Sequence, residues 1–179
     1  MHPDNFTITT AHVTDASALT ALSIVTFRDT FEKDNRAEDM DKYVAEQMTV
    51  AQLTKELNDT SSVFFLMHDG TTLMGYAKMR TSENPDGLHA TNPIEIERIY
   101  IAKDYHGKRA GASLMQHCVD HANKDGHDVL WLGVWEHNTR ARLFYERWGF
   151  RLFGEHVFLL GDDEQTDVLM KLHLQPAHH

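Results

Sequence analysis

The sequence predicts an α/β (α+β) fold, a mixed sheet with helices on both faces, and three observations predict it. Strand-like and helix-like segments follow one another along the chain in the order β-α-α-β-β-β-α-β-α-β-β, which counts seven strands. Two neighbouring strands meet at Asp69-Gly70, the turn chemistry of an antiparallel hairpin. Two later strands are separated by a whole amphipathic helix, as a crossover connection requires.

Each element has its own local reason. "FTITTAHVT" (residues 6–14) alternates weakly and reads as a first strand. Asp15 is placed to cap the helix that follows, in which Leu19, Leu22, Ile24, Val25, Phe27 and Phe31 recur at helical spacing. After the polar joint "EKDNRAED", Met40, Tyr43, Val44, Met48, Leu53 and Leu57 predict one helical region over about 37–57. "SSVFFLMHDGTTLMGYAKMRTS" is the hairpin, and "ENPDGLHATNP" (residues 83–93) is a loop punctuated by prolines and glycine. "IEIERIYIA" is a strand by alternation and β-branching, and a helix runs from the next loop to about Lys124, where Gly126 stops it. "DVLWLGVW" is a strand, Asn138 caps the short helix "NTRARLFYERW", and Gly149 ends it. "FRLFGEHVFLL" and "TDVLMKLHL" close the chain as strands around the acidic turn "GDDEQ", and residues 175–179 are expected to fray.

With 179 residues, no internal repeat and no linker, the chain is expected to be a single domain spanning residues 1–179. The net charge of −10 argues against a general nucleic-acid binder and favours a cationic small partner. The longest apolar run, "VFFLM", is too short to span a bilayer, so no membrane role is expected. No secretion signal is visible at the N-terminus, and the single cysteine excludes an internal disulfide framework. Both point to the cytoplasm.

One stretch asks for chemistry. "DYHGKRAGASLM" (residues 104–115) puts two glycines and two cations where a helix begins, the arrangement of an anion cradle. It fits neither the P-loop nor the dinucleotide fingerprint. Downstream, Cys118 falls in mid-helix and is expected to be an inert buried thiol. His117 and His121 have i,i+4 spacing without a visible third ligand, so no metal site is expected. Glu95 and Glu97 share one face of their strand and form the acidic pair best placed beside the loop.

"IERIYIAKDYHGKRAGASLM" followed by "WLGVWEHNTRARLFYERWGF" resembles the GNAT-type N-acetyltransferases, over essentially the whole chain. "LSIVTFRDTF", "EIERIYI", "WLGVWEHN" and "GDDEQTD" further resemble the bacterial spermine/spermidine N-acetyltransferases of the PaiA type. The resemblance implies the GNAT fold, a mostly antiparallel sheet of about seven strands, and acetyl-CoA as co-substrate. The anion is then its pyrophosphate, held by His106, Gly107, Lys108, Arg109, Ala110, Gly111, Ala112 and Ser113. His106 departs from the family's Gln or Arg, and Arg109 stands where the family has its first glycine. A histidine could serve phosphate as a cation only when protonated, which would make CoA affinity weaken as pH rises. By the same resemblance, the backbone of Ile99, Tyr100 and Ile101 grips pantetheine and the thioester carbonyl, Asn138 contacts CoA, and Tyr145 protonates the departing sulfur while touching the cofactor.

The acceptor amine must lose a proton, and Glu95 or Glu97, directly or through water, is the expected base. In the resembling family the first two helices and the turn before the last strand line the acceptor site. Here these segments are acidic, with Asp29, Glu32, Asp34 and Asp163 as the candidate contacts for a polyamine. Two other readings stand beside this one: the same chemistry on a protein N-terminus, a lysine or another small amine, and a non-catalytic acyl-CoA-binding regulator. Monomer and homodimer are both compatible with the sequence.

Overall fold

In the computed structural model, which describes residues 6–175, the predicted hairpin is the centre of the sheet's first half. β2 (Ser62–Asp69) and β3 (Thr72–Arg80) pair antiparallel around Gly70-Thr71, with Gly70 at φ +59°. β1 (Phe6–Thr10) pairs antiparallel with β2, and β4 (Pro93–Ile101) pairs antiparallel with β3. The first strand is thus shorter than its weak alternation predicts. β5 (Val129–Trp135) runs parallel to β4, and the hairpin of β6 (Arg151–Leu160) and β7 (Asp163–His173) adds through β7. The seven-stranded order is β1-β2-β3-β4-β5-β7-β6, mixed and mostly antiparallel as expected. The turn predicted over "GDDEQ" tightens to Gly161-Asp162, so Asp163, Glu164 and Gln165 already belong to β7.

Helices cover both faces. α1 (Ala16–Phe31), α2 (Ala37–Gln47) and α3 (Val50–Leu57) lie on one face, hereafter the α1 face. There Leu19 and Leu53 pack on Phe64, Leu66 and Tyr76, while Met40 of α2 packs with Phe27 and with Leu160 of β6. The single helical region expected over 37–57 is therefore two helices. Thr49, at extended φ and ψ of −112° and 157°, breaks it, and its side chain accepts the Gln52 N–H at 3.0 Å as a new N-cap. Asp15 does not cap α1; it closes a 3₁₀ turn (Val13–Asp15) by accepting the His12 N–H at 2.8 Å.

α4 (Ala110–Lys124) and α5 (Thr139–Arg147) cover the opposite face, the α4 face. Leu114, Met115 and Cys118 of α4 meet Met79, Ile96, Leu130, Leu132 and Met170 in the largest apolar core. Each such side chain, fully buried, contributes about 1.5–3 kcal/mol of transfer free energy. Asn138 caps α5 as expected, accepting the Ala141 N–H at 3.2 Å. Of the tail expected to fray, residues 176–179 lie outside the described residues.

Candidate active site

Two features of β4 shape the site. Its parallel pairing with β5 stops after four residue pairs, at Ile96↔Leu132. Beyond that point Arg98–Ile101 remain paired to β3 and Gly133–Trp135 to β7, so the sheet parts between its two parallel strands. The expected cofactor residues Ile99, Tyr100 and Ile101 all lie on the margin of this split, with no strand partner on the β5 side.

The second feature is a bulge. Lys78 faces Arg98 and Met79 faces Ile96, which leaves Glu97 as an extra residue in β4. Side chains that would alternate instead keep one face: Glu95, Glu97, Arg98 and Tyr100 turn to the α1 face, and Ile99 and Ile101 to the α4 core. Glu95 and Glu97 do share a face, as the sequence predicts, but they meet cations there. Arg80 Nε lies 2.7 Å from Glu95 Oε1, and Lys78 Nζ lies 2.6 Å from Glu97 Oε2. Lys78 also holds Glu56 of α3 at 2.5 Å, and Arg98 holds the same carboxylate at 2.8 Å. Three cations and three carboxylates thus form one network at the floor of a groove, with Lys78 only 4% exposed. Burial pushes the Glu95 carboxyl above its ordinary value, against the opposing pull of Arg80. A carboxylate gripped this way is a poorer free base than the sequence suggests.

Below the split, the loop from β4 to α4 has the form of an anion cradle. Gly107 sits at φ +82° and Arg109 at φ +62°, ψ 11°, the only left-handed residue other than glycine among those described. Arg109 therefore takes up the conformation that a glycine supplies more cheaply. The amides of residues 107–112 make no hydrogen bond within the described chain; the first to find a carbonyl is Ser113, on Arg109 at 3.1 Å. Such a run of unpaired N–H groups at the start of a 15-residue helix fits a pyrophosphate, and Lys108 and Arg109 are exposed beside it.

His106 behaves differently from the expectation. Arg140 Nη1 of α5 lies 2.6 Å from its Nδ1, and its Nε2 lies 2.8 Å from the Ile101 carbonyl. A guanidinium can only donate, so Nδ1 accepts and Nε2–H donates to the carbonyl. The ring thus braces the strand end against α5.

Tyr145 of α5 is 8% exposed, edge-on to Phe144 and Phe150. Burial, with Cys118 nearby, pushes its phenol well above the usual range, so it stays protonated and able to donate. Cys118 is wholly buried, its thiol pushed up to about 12 by burial, which suits the inert role expected of it. His117 and His121 both pack edge-on against Phe65.

At the other end of the α1 face, the α1–α2 link and the β6–β7 turn meet. Asn35 Oδ1 accepts from Gln165 Nε2 at 3.3 Å, and Asp39 Oδ1 accepts the Asp162 N–H at 3.3 Å. The contact is so close that a Cβ on Gly161 would stand 2.6 Å from Asp39 Cα. Three acidic side chains of this region are neutralised locally: Asp41 by Arg28, Glu38 by Arg36, and Asp162 by Lys42. Asp29, Glu32 and Asp34 are exposed and form no ion pair among the described residues; Asp163 accepts from Gln165. Between the two segments lies a small recess walled by Phe27, Phe31, Trp135 and Phe158, with Asn35 and Gln165 at its polar side. Trp135 donates its indole N–H to Gln165 Oε1 at 2.7 Å.

A seven-stranded sheet split between its parallel pair, with an amide cradle under the split, defines an acyl-CoA-dependent transferase architecture. The chain belongs to the acetyltransferase (GNAT) family, whose profile matches residues 24–150. It is an N-acetyltransferase that uses acetyl-CoA. An uncharacterized N-acetyltransferase in the pepI 3′ region of Lactobacillus delbrueckii subsp. lactis is 38% identical to it, over 88% of this chain and 91% of that protein. The spermine/spermidine N(1)-acetyltransferase of Bacillus subtilis is 27% identical over 70% of this chain and 87% of its own length. Among solved structures, the PaiA N-acetyltransferase from Thermoplasma acidophilum in complex with coenzyme A shares the fold. Its TM-score is 0.77 at 18% identity, covering 94% of this chain and 99% of that one.

Proposed function

We propose that this acetyltransferase acts on a primary amine of a polyamine, spermidine or spermine, by direct attack on acetyl-CoA in a ternary complex. The observation that carries the reading is the distribution of unneutralised charge. Asp29, Glu32 and Asp34 form no ion pair among the described residues, and Asp163 accepts only from Gln165, while Asp41, Glu38 and Asp162 are paired off; an aromatic recess lies between the two segments that carry them. A flexible polycation gains from each of these charges, and an aromatic wall attracts an ammonium group through its ring faces. A neutral or anionic acceptor gains nothing from them. The relation to the Bacillus subtilis enzyme supports the same substrate class.

Residues 107–112 then hold the pyrophosphate by backbone amides with Lys108 and Arg109, and Asn138 contacts CoA from the start of α5. The margin of β4 at Ile99–Ile101 receives pantetheine and the thioester carbonyl, and Tyr145 gives its proton to the departing sulfur. Acetyl-CoA supplies the activated acyl group; the chain binds, orients and moves protons.

The test is steady-state kinetics with spermidine, spermine and butylamine. The combined substitution Asp29→Asn, Glu32→Gln, Asp34→Asn and Asp163→Asn should raise KM for spermidine roughly tenfold with kcat little changed, because remote charge binds ground and transition states alike. Added salt should shrink the difference. Equal kcat/KM for spermidine and butylamine would reject the polyamine and leave the acetyltransferase.

A further inference from the structure

Glu95 and Glu97, the expected acceptors of the amine's proton, are both held by cations on the α1 face. A third carboxylate on that face is not. Asp167 of β7 lies directly opposite Trp135 of β5 and His156 of β6. Trp135 is a wall of the aromatic recess, and Gln165, two residues before Asp167 on the same face of β7, is another. Asp167 is therefore the next residue from the recess along that face.

Its carboxylate has a specific place to lie. A Cβ on Gly133 would stand 3.3 Å from Asp167 Oδ2, so the absence of a side chain there leaves the carboxylate room above β5. Gly133 is the first residue of β5 beyond the last parallel pair, Ile96↔Leu132. The carboxylate thus sits over the point at which the sheet opens, between the recess and the strand margin that faces the thioester. Asp167 takes no hydrogen bond and no ion pair within the described chain. The titratable groups around it are Glu95 from β4, which Arg80 engages, Tyr43 from α2 and the exposed His156 from β6.

We propose that Asp167 receives the acceptor ammonium at the mouth of the β4–β5 split and takes its proton. This rests on the reading of the aromatic recess as the acceptor site. The carboxylate removes one proton from R–NH₃⁺, and the freed lone pair forms the C–N bond at the thioester carbonyl. The C–S bond breaks with its electron pair on sulfur, and the thiolate becomes CoA-SH by taking a proton from Tyr145. The second nitrogen proton leaves as the amide forms and restores Tyr145. Asp167 returns the first proton to water. The net change is R–NH₃⁺ plus acetyl-CoA to acetamide, CoA-SH and one proton. Burial pushes the Asp167 carboxyl up to about 6, His156 opposing and Glu95 reinforcing, so it is an ionised base at neutral pH with more affinity for a proton than an ordinary aspartate.

The experiment is the pH profile of kcat/KM for the amine from pH 5 to 8.5, in the wild type and in Asp167→Asn, with the CoA-induced melting shift as the folding control. The wild type should show an acid limb centred near pH 6. Asp167→Asn should lose that limb and fall 10²–10⁴-fold in kcat/KM while keeping its CoA shift. A role confined to structure would lower the rate without moving the limb. Asp167→Asn within threefold of the wild type, or with the limb intact, overturns the proposal. If Asp167→Asn does not fold, the wild-type profile decides: a limb near 6 supports the proposal, and a flat profile between pH 5 and 7.5 overturns it. Wild-type enzyme that gains stability from CoA and acetylates no amine in a panel of monoamines and polyamines overturns the reading of the recess and the proposal with it.

Discussion

Lys78→Met isolates the charged network under the groove. The wild-type ammonium is 4% exposed and lies 2.5 Å from Glu56 and 2.6 Å from Glu97. Removing one partner from a buried ion pair costs about 3–5 kcal/mol, because an uncompensated charge is left behind. Each stranded carboxylate retains a second cation, Arg98 at 2.8 Å on Glu56 and Arg80 at 3.2 Å on Glu97, which holds the loss to the lower end, about 3 kcal/mol. For a chain of this length that is a fall in Tm of roughly 6–12 °C. The loss should depend on pH. Burial raises the Glu56 carboxyl, but Arg98 and Lys78 together bring it below its ordinary 4.5. A carboxyl lowered on folding adds stability above its unfolded value and loses it as pH falls through the folded one. The gap between wild type and Lys78→Met should therefore be full at pH 7 and narrow below about pH 4. Urea unfolding at pH 7, 5 and 3.5 measures it. A gap under 1 kcal/mol at pH 7, or one constant across the series, would refute the claim that Lys78 holds the two carboxylates in place.

Three further outcomes are expected. Tyr145→Phe should lower kcat by roughly 10²–10⁴-fold and leave CoA affinity nearly intact, read by free-thiol release and by titration calorimetry; a near-normal kcat would leave the ring a packing role alone. Arg109→Gly should raise Tm slightly, since relief of the left-handed strain, about 1–2 kcal/mol, exceeds the added freedom of the unfolded chain, about 0.4–1 kcal/mol; calorimetry showing a lower Tm would mean that the guanidinium makes a compensating contact. Asp167→Asn should stabilise the fold at pH 7.5, and the advantage should shrink as pH falls through about 6 and vanish only below the unfolded value of 3.8. A carboxyl raised on folding from 3.8 to about 6 costs stability once ionised, at most about 3 kcal/mol and about half that after screening by solvent. Equal denaturation midpoints at pH 7.5 would show that Asp167 carries no such cost.

The legible parts of the sequence were those whose causes are local. The hairpin at Asp69-Gly70, the Asn138 cap and the β4–loop–α4–β5 crossover each rest on residues adjacent in the chain, and each forms as expected. The break at Thr49 was hidden because apolar residues continue at helical spacing on both sides of it, although Thr49 and Gln52 carry a cap signal. Glu95 and Glu97 were correctly placed on one face, but the cations that occupy them come from β3 and from the bulge, which no local pattern records. His106 reads as free in sequence because Arg140, which lies against its ring, is 34 residues further along the chain. Asp167 gave no signal, since one acidic residue in an alternating strand is ordinarily a solvated one. Its meaning depends on Gly133 and Trp135, which only the sheet brings beside it.

The four-pair seam between β4 and β5 also divides the molecule mechanically. On one side, β1–β4 form an unbroken antiparallel meander, with α4 leaning on β1, β3 and β4; on the other, β5, β7 and β6 form a second ladder. Within each wing neighbouring strands are laced by five to nine residue pairs, and only the seam, with four, is shorter. Its closure also waits for a crossover through all of α4, whereas each hairpin closes over a few residues. The wings are thus the natural cooperative units of the chain, and amide protons at the seam should exchange through openings smaller than global unfolding. The opening proposed for the acyl donor and the line along which the fold is most readily loosened are the same place.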